Sequence, residues 1–144
     1  MDSVVHKLCV APMMERTDRH CRYLLRLFSP NAWLYTEMIT AEALIRGSRE
    51  RFLKFHPSEH PVALQLGGSD AELLAVAAQW GAAAGYDEIN LNVGCPSDRV
   101  QAGQFGVALM AAPEKVAAAV AAITKEIDIP VTVKTRLGVD KQDS

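Results

Sequence analysis

The 144 residues are 49% hydrophobic and 22% charged, an ordinary globular composition sized for at most one domain. A net charge of −2 gives no global cationic field for nucleic acid or anionic membranes, so any RNA contact must come from local patches. The N-terminus lacks the layout of a secretory signal, and the longest apolar run, Val116 to Ile123, is far short of a membrane span. Three cysteines without a CxxC pair suit a reducing compartment, so the expected location is cytoplasmic.

In chain order, the pattern predicts a strand over Lys7–Ala11 and then a helix over Asp18–Phe28. On that helix Arg19, Arg22 and Arg26 fall at i, i+3 and i+7, one cationic stripe; a solvated face and contact with RNA phosphate both remain open. A strand over Trp33–Glu37 and a helix over Ala41–Arg46 follow. The strand Val62–Leu66 leads into "QLGGSD", a strand-to-helix turn in which Ser69 and Asp70 can cap the helix Ala71–Ala84, closed by Gly85. Glu88–Val93 is the fourth strand. Pro113 opens a helix to Glu126, and Val131–Lys134 is the fifth strand. Strands alternating with helices are the mark of a parallel α/β sheet.

Polar residues inside the strands choose between an open sheet and a barrel. Gln65 shares a face with Ala63, Asn90 with Asn92, and Thr132 with Lys134, while the opposite faces are wholly apolar. An open doubly wound sheet needs both faces apolar. A (β/α)8 TIM barrel, whose interior opens into a polar site at the C-terminal mouth, fits better. Such a barrel takes about 250 residues. The chain therefore reads as residues 1–144 of the N-terminal portion of a barrel, truncated after about five strands and ending in the polar tail "GVDKQDS".

Buried amides without partners cost about 1–3 kcal/mol each. Gln65, Asn90 and Asn92 therefore need either a planar hydrogen-bonding ligand at the mouth or each other. Three amides joined by Lys134 favour the ligand, and the lysine supplies charge to something that becomes anionic, as a reduced flavin does. Cys95 follows Gly94 and precedes Pro96 in a polar, glycine-rich loop, where a thiol with an ordinary pKa of about 8.5 can serve as a general acid. Cys9 and Cys21 read as packing residues. Pro12, Met13 and Met14 leave the first strand, where methionines can fill core or cover a flat cofactor. No metal site is expected, because Pro57 breaks the helical spacing of His56 and His60.

"APMMERTDRHCRY" at 11–23, "QLGGSD" at 65–70, "GCPSDRVQ" at 94–101 and "PVTVKTRLGVDKQDS" at 130–144 together resemble the tRNA-dihydrouridine synthases, most closely their A subgroup. The Asn-x-x-Cys-Pro turn alone is less specific, being similar to that of dihydroorotate dehydrogenases. The resemblance implies an FMN-bearing barrel that reduces the C5–C6 bond of tRNA D-loop uridines around position 20 with NADPH. It implies that Pro12, Met13 and Met14 line the flavin, that Gln65 bonds its pyrimidine edge and that Lys134 faces its N1–O2 edge. It makes Cys95 the proton donor to C5 and Asn92 a contact to tRNA. Where the family commonly has an acidic residue followed by tryptophan, this chain has Glu15–Arg16. The family's later strands and its helical tRNA-binding domain have no counterpart, so these residues alone are expected to bind FMN weakly and not to turn over. The alternatives are a dihydroorotate dehydrogenase-like enzyme and a non-catalytic barrel-fragment module. Oligomeric state is left open.

Overall fold

Aliphatic residues on alternate positions build the strands, and the computed structural model, which describes residues 6–139, pairs all of them in parallel. The strands are β1 (Cys9–Val10), β2 (Trp33–Tyr35), β3 (Ile39–Thr40), β4 (Val62–Gly67), β5 (Glu88–Asn92) and β6 (Val131–Lys134). Their order is β1-β2-β4-β5-β6, curled into a half-barrel. β2 pairs with Val62 and Ala63, whereas β3 pairs with Leu66 and Gly67 further along β4. β2 and β3 are thus two pieces of a single barrel strand. At the break, the Gln65 backbone N–H donates to the Thr36 hydroxyl oxygen at 3.0 Å. Five barrel positions result, as the alternation predicts. The extreme N-terminus and the tail 140–144, both read above, lie outside the described residues.

The helices are α1 (Arg19–Phe28), α2 (Ala41–Arg46), α3 (Arg49–Leu53), α4 (Ala71–Ala83), α5 (Asp98–Ala102) and α6 (Pro113–Glu126). Asp70 caps α4 by accepting from the N–H groups of Glu72 and Leu73. Gly85, at φ +95, takes the left-handed position just past its end. Leu64, Leu66, Ile89 and Leu91 are fully buried on the outer face of the sheet. α4 lies directly over them. A Cβ at Gly81 would come within 2.5 Å of Leu64 Cδ2 and 2.9 Å of Ile89 Cδ1, so any larger residue would force those side-chain ends to shift. α6 packs beside α4 through Ala119 and Ile123, which joins the same core. Among the described residues, no helix is long and apolar enough to cross a membrane.

Three short segments escape the sequence pattern: α3, α5 and β3. Two 3₁₀ turns, Pro57–Glu59 and Gly106–Ala111, escape it too. In the first, His56 is the N-cap and bonds Ser58, while the Glu59 side chain returns to the His56 N–H at 2.7 Å. His56 is therefore held as a cap.

α1 overturns the expectation of an exposed cationic stripe at Arg22 and Arg26, while Arg19 is exposed. Arg22 and Arg26 are 4% and 8% exposed, while Tyr23, Leu24, Leu27 and Phe28 face outward. The cause is a buried acceptor set supplied by distant sequence. Arg22 Nε bonds Glu59 Oε2 at 2.6 Å and its Nη1 bonds the Thr17 carbonyl at 2.7 Å. Arg26 Nη2 bonds the carbonyls of Glu59 at 2.8 Å and Pro61 at 3.0 Å. Neither guanidinium is available to RNA phosphate. Cys9 likewise is exposed rather than packed, on β1, which among the described residues pairs on one side only.

Candidate active site at the mouth of the half-barrel

Parallel register sets the inner face. Ala63 pairs with Glu88, Gln65 with Asn90, Asn90 with Thr132, and Asn92 with Lys134. Because side chains alternate, these residues all point to the side away from α4 and α6. They form a polar band that runs from the N-terminal ends of the strands to their C-terminal ends.

The three amides meet each other's needs. Gln65, Asn90 and Asn92 are 1%, 3% and 9% exposed. Gln65 Nε2 donates to Asn90 Oδ1 at 2.7 Å, and Asn92 Nδ2 donates to Gln65 Oε1 at 3.0 Å. Asn90 Nδ2 donates to Thr132 Oγ1 at 2.8 Å. No ligand is required to satisfy them, which removes the energetic argument that called for one. Their spare valence is what a ligand can use: Gln65 keeps one N–H and one lone pair, and Asn92 keeps one N–H.

Asn92 also builds the turn that carries the thiol. Its Oδ1 accepts from the N–H of Gly94 at 3.2 Å and of Cys95 at 3.0 Å. Gly94 is required there, since a Cβ would fall 2.9 Å from the Thr135 carbonyl carbon beyond β6. The Cys95 carbonyl accepts from the Val107 N–H at 3.0 Å, and Gly106, at φ +61, packs against it. Cys95 Sγ lies 3.6 Å from Ser97 Oγ and is half-buried. Lys134, exposed at the end of β6, extends from the register position opposite Asn92.

Pro12, Met13 and Met14 stand apart from this network. They leave β1, two strands from β4, and Met13 and Met14 are 50% and 59% exposed. The Met13 carbonyl accepts from Arg16 and Thr17 N–H, and Glu15, at φ +59, donates its N–H to the Glu37 carboxylate. That pair ties the methionine loop to the chain leaving β2. A cleft of about 830 Å³ lies elsewhere, toward the N-terminal end of β4, where the Arg49 guanidinium stacks 3.4 Å above Trp80; it includes none of the mouth residues.

At the closed end of the band sits a cluster that the sequence reading passed over. Glu88, fully buried, accepts from the Thr132 hydroxyl through Oε1 and lies 3.3 Å from His6 Nε2 through Oε2. His6 stacks on Trp33 at 4.1 Å and bonds the Tyr35 hydroxyl at 3.2 Å. Burial raises the Glu88 pKa above the usual carboxylate value, against the opposing pull of Thr132, His6 and Tyr35. Burial also pushes the Tyr35 phenol up. The available signal was period-two alternation, which puts Glu88 on the face of Asn90 and Asn92. Among the described residues, no group of three or more His, Cys, Asp or Glu side chains is placed to hold a metal ion.

Residues 9–144 match the family model described as dihydrouridine synthase. The chain belongs to the dihydrouridine synthase family. It is 60% identical over 143 residues to a tRNA-dihydrouridine(20/20a) synthase of Synechocystis sp., covering 99% of this chain and 43% of that protein. A protein of the same name from Xanthomonas campestris is 62% identical over 137 residues, covering 95% of this chain and 41% of the relative. Another from Vibrio vulnificus is 60% identical over 138 residues, with 96% and 42% covered. The chain thus spans about two fifths of the length of the curated relatives it matches.

Proposed function

We propose that the protein carrying this chain reduces the C5–C6 bond of uridines 20 and 20a in tRNA, with FMN as cofactor and NADPH as reductant. The observation that carries this reading is the Cys95 turn. Asn92 holds that turn at the barrel mouth beside Gln65 and Lys134, in a chain whose relatives are named for this reaction. In this reading residues 1–144 are the N-terminal portion of the FMN barrel. The additional length of the relatives corresponds to the remaining strands and a helical tRNA-binding domain. Acting on tRNA places the protein in the cytoplasm.

The donor set fits a flavin by its chemistry. An amide edge with spare valence, a cation and two exposed thioethers meet the needs of a flat ring that is polar along one side. Gln65 is assigned to the pyrimidine edge, and Pro12, Met13 and Met14 to the apolar face. Lys134 places a fixed positive charge where the reduced ring is anionic. When bound and reduced, FMN supplies the hydride that C6 of uracil receives.

Cys95 gives its thiol proton to C5, so hydride and proton together complete the addition across the double bond. The thiolate left behind regains a proton from solvent. Asn92 donates its remaining N–H to the base, which must leave the tRNA stack to reach the mouth. The test is nucleoside mass spectrometry of unmodified tRNA after incubation with the protein, FMN and NADPH. Dihydrouridine at positions 20 and 20a is expected. Turnover of free dihydroorotate or orotate without dihydrouridine in tRNA would instead select the dehydrogenase alternative.

A further inference from the structure

The polar band is a single hydrogen-bond chain with one direction. The Cys95 N–H donates to Asn92 Oδ1, Asn92 Nδ2 to Gln65 Oε1, and Gln65 Nε2 to Asn90 Oδ1. Asn90 Nδ2 then donates to Thr132 Oγ1, whose hydroxyl donates to Glu88 Oε1. Its two ends are set by geometry: the Cys95 backbone N–H can only donate, and Glu88 Oε1 accepts from Thr132 while the other carboxyl oxygen faces His6 at 3.3 Å. With both ends fixed, each amide between them has one orientation that satisfies its neighbours. Turning one amide over sets oxygen against oxygen or N–H against N–H, unless all three turn and Asn92 gives up its hold on Gly94 and Cys95.

We infer that Glu88, at the far end of the inner face, is a positioning residue that sets the orientation of Gln65 and Asn92 and thereby holds the Cys95 turn. Glu88 Oε1 accepts from the Thr132 hydroxyl and so commits its proton, which leaves Thr132 only able to accept from Asn90. Without that commitment, Thr132 can donate to Asn90 Oδ1, and the reversed chain becomes tolerable. Both lone pairs of Asn92 Oδ1 are taken by Gly94 and Cys95, so Asn92 offers only a donor to the mouth. A donor there suits a carbonyl edge, as in uracil, and rejects the amino edge of cytosine. The consequence for the base rests on the proposed function; the bond chain itself does not.

The test is amide hydrogen exchange by NMR on the full-length protein that carries this chain, without flavin or tRNA. Its failure would leave the reductase reading standing, and absence of dihydrouridine synthesis would leave the bond chain standing. Thr132→Val removes the hydroxyl link at nearly constant shape on a half-buried position of β6, and Thr132→Ser keeps it. Protection at Gly94 and Cys95 is expected to fall about fivefold in Thr132→Val, the factor for one net hydrogen bond. The Val93 N–H, bonded to the Lys134 carbonyl at 2.8 Å, is expected to keep its protection. Thr132→Ser is expected to match the parent, and Glu88→Leu to repeat the Thr132→Val pattern. Parent-like protection at Gly94 and Cys95 in Thr132→Val or in folded Glu88→Leu overturns the inference. So does an equal loss at Val93. If Glu88→Leu does not fold, the Thr132 pair decides alone.

Discussion

At the residue scale, Glu88 is a fully buried carboxylate flanked by His6, Tyr35, Cys9 and Thr132, and its pKa is raised chiefly by burial. Its protonated form is therefore favoured by folding. The stability tied to that proton is fully present below the unfolded carboxylate pKa of about 4.3 and is lost as pH rises through the higher folded value. Glu88→Gln has no such titration. On raising the pH from 4 to 7, the difference in unfolding free energy is expected to move in the variant's favour, measured by urea titration at each pH. A difference constant across that range would contradict the assignment. A carboxylate that costs stability when ionised invites another explanation for its presence, and its place at the end of the amide chain supplies one. Alternation in the sequence put Gln65, Asn90 and Asn92 on one face. What it could not show was that parallel register sets Gln65 against Asn90 and Asn90 against Thr132. The amides therefore looked short of partners when they were not.

At the scale of the element, α1 reverses the usual amphipathic rule. Two of its three arginines, Arg22 and Arg26, point inward because Glu59 and the carbonyls of Thr17, Glu59 and Pro61 form a buried acceptor set, while Arg19 stays exposed. Glu59 is 37 residues from Arg22, so no local window could reveal the pairing. Removing one member of a buried pair leaves an uncompensated charge, at a cost of about 3–5 kcal/mol. Glu59→Ala is therefore expected to destabilise the chain by that order in chemical denaturation, and Arg22→Met similarly. The double variant Arg22→Met/Glu59→Leu is expected to lose far less than the sum, because no lone charge remains. Phe28→Lys, at a position 78% exposed, is expected to change stability by less than about 0.5 kcal/mol. A large loss there with little at Glu59 would contradict the burial seen for the two faces. The long elements, by contrast, were legible locally. α2, α6 and β6 match their predicted bounds because helix formers, Pro113 and alternating valines state them in one stretch of chain. The segments α3, α5 and β3 were missed because each is one or two turns, or two residues, fixed by what it packs against.

For the molecule as a whole, the half-barrel follows from strands with one apolar and one polar face, and that distinction separated a barrel from an open sheet. The same faces place Gln65, Asn92 and Lys134 at one mouth, and the turn after β5 that Asn92 holds brings Cys95 there. The methionine loop is the part the sequence could not tie to them: it meets the chain leaving β2 through Glu15 and Glu37, and it shares no hydrogen bond with the amide chain among the described residues. In the proposed function Cys95 protonates C5 while other residues hold the cofactor and its charge. Rapid-mixing spectroscopy on the flavin-loaded protein separates the two half-reactions. In Cys95→Ala, NADPH is expected to bleach the flavin at the parent rate. Reoxidation of the flavin by tRNA is expected to slow by about a hundredfold or more, the usual contribution of a general acid. Parent-like reoxidation by tRNA in Cys95→Ala would contradict the account.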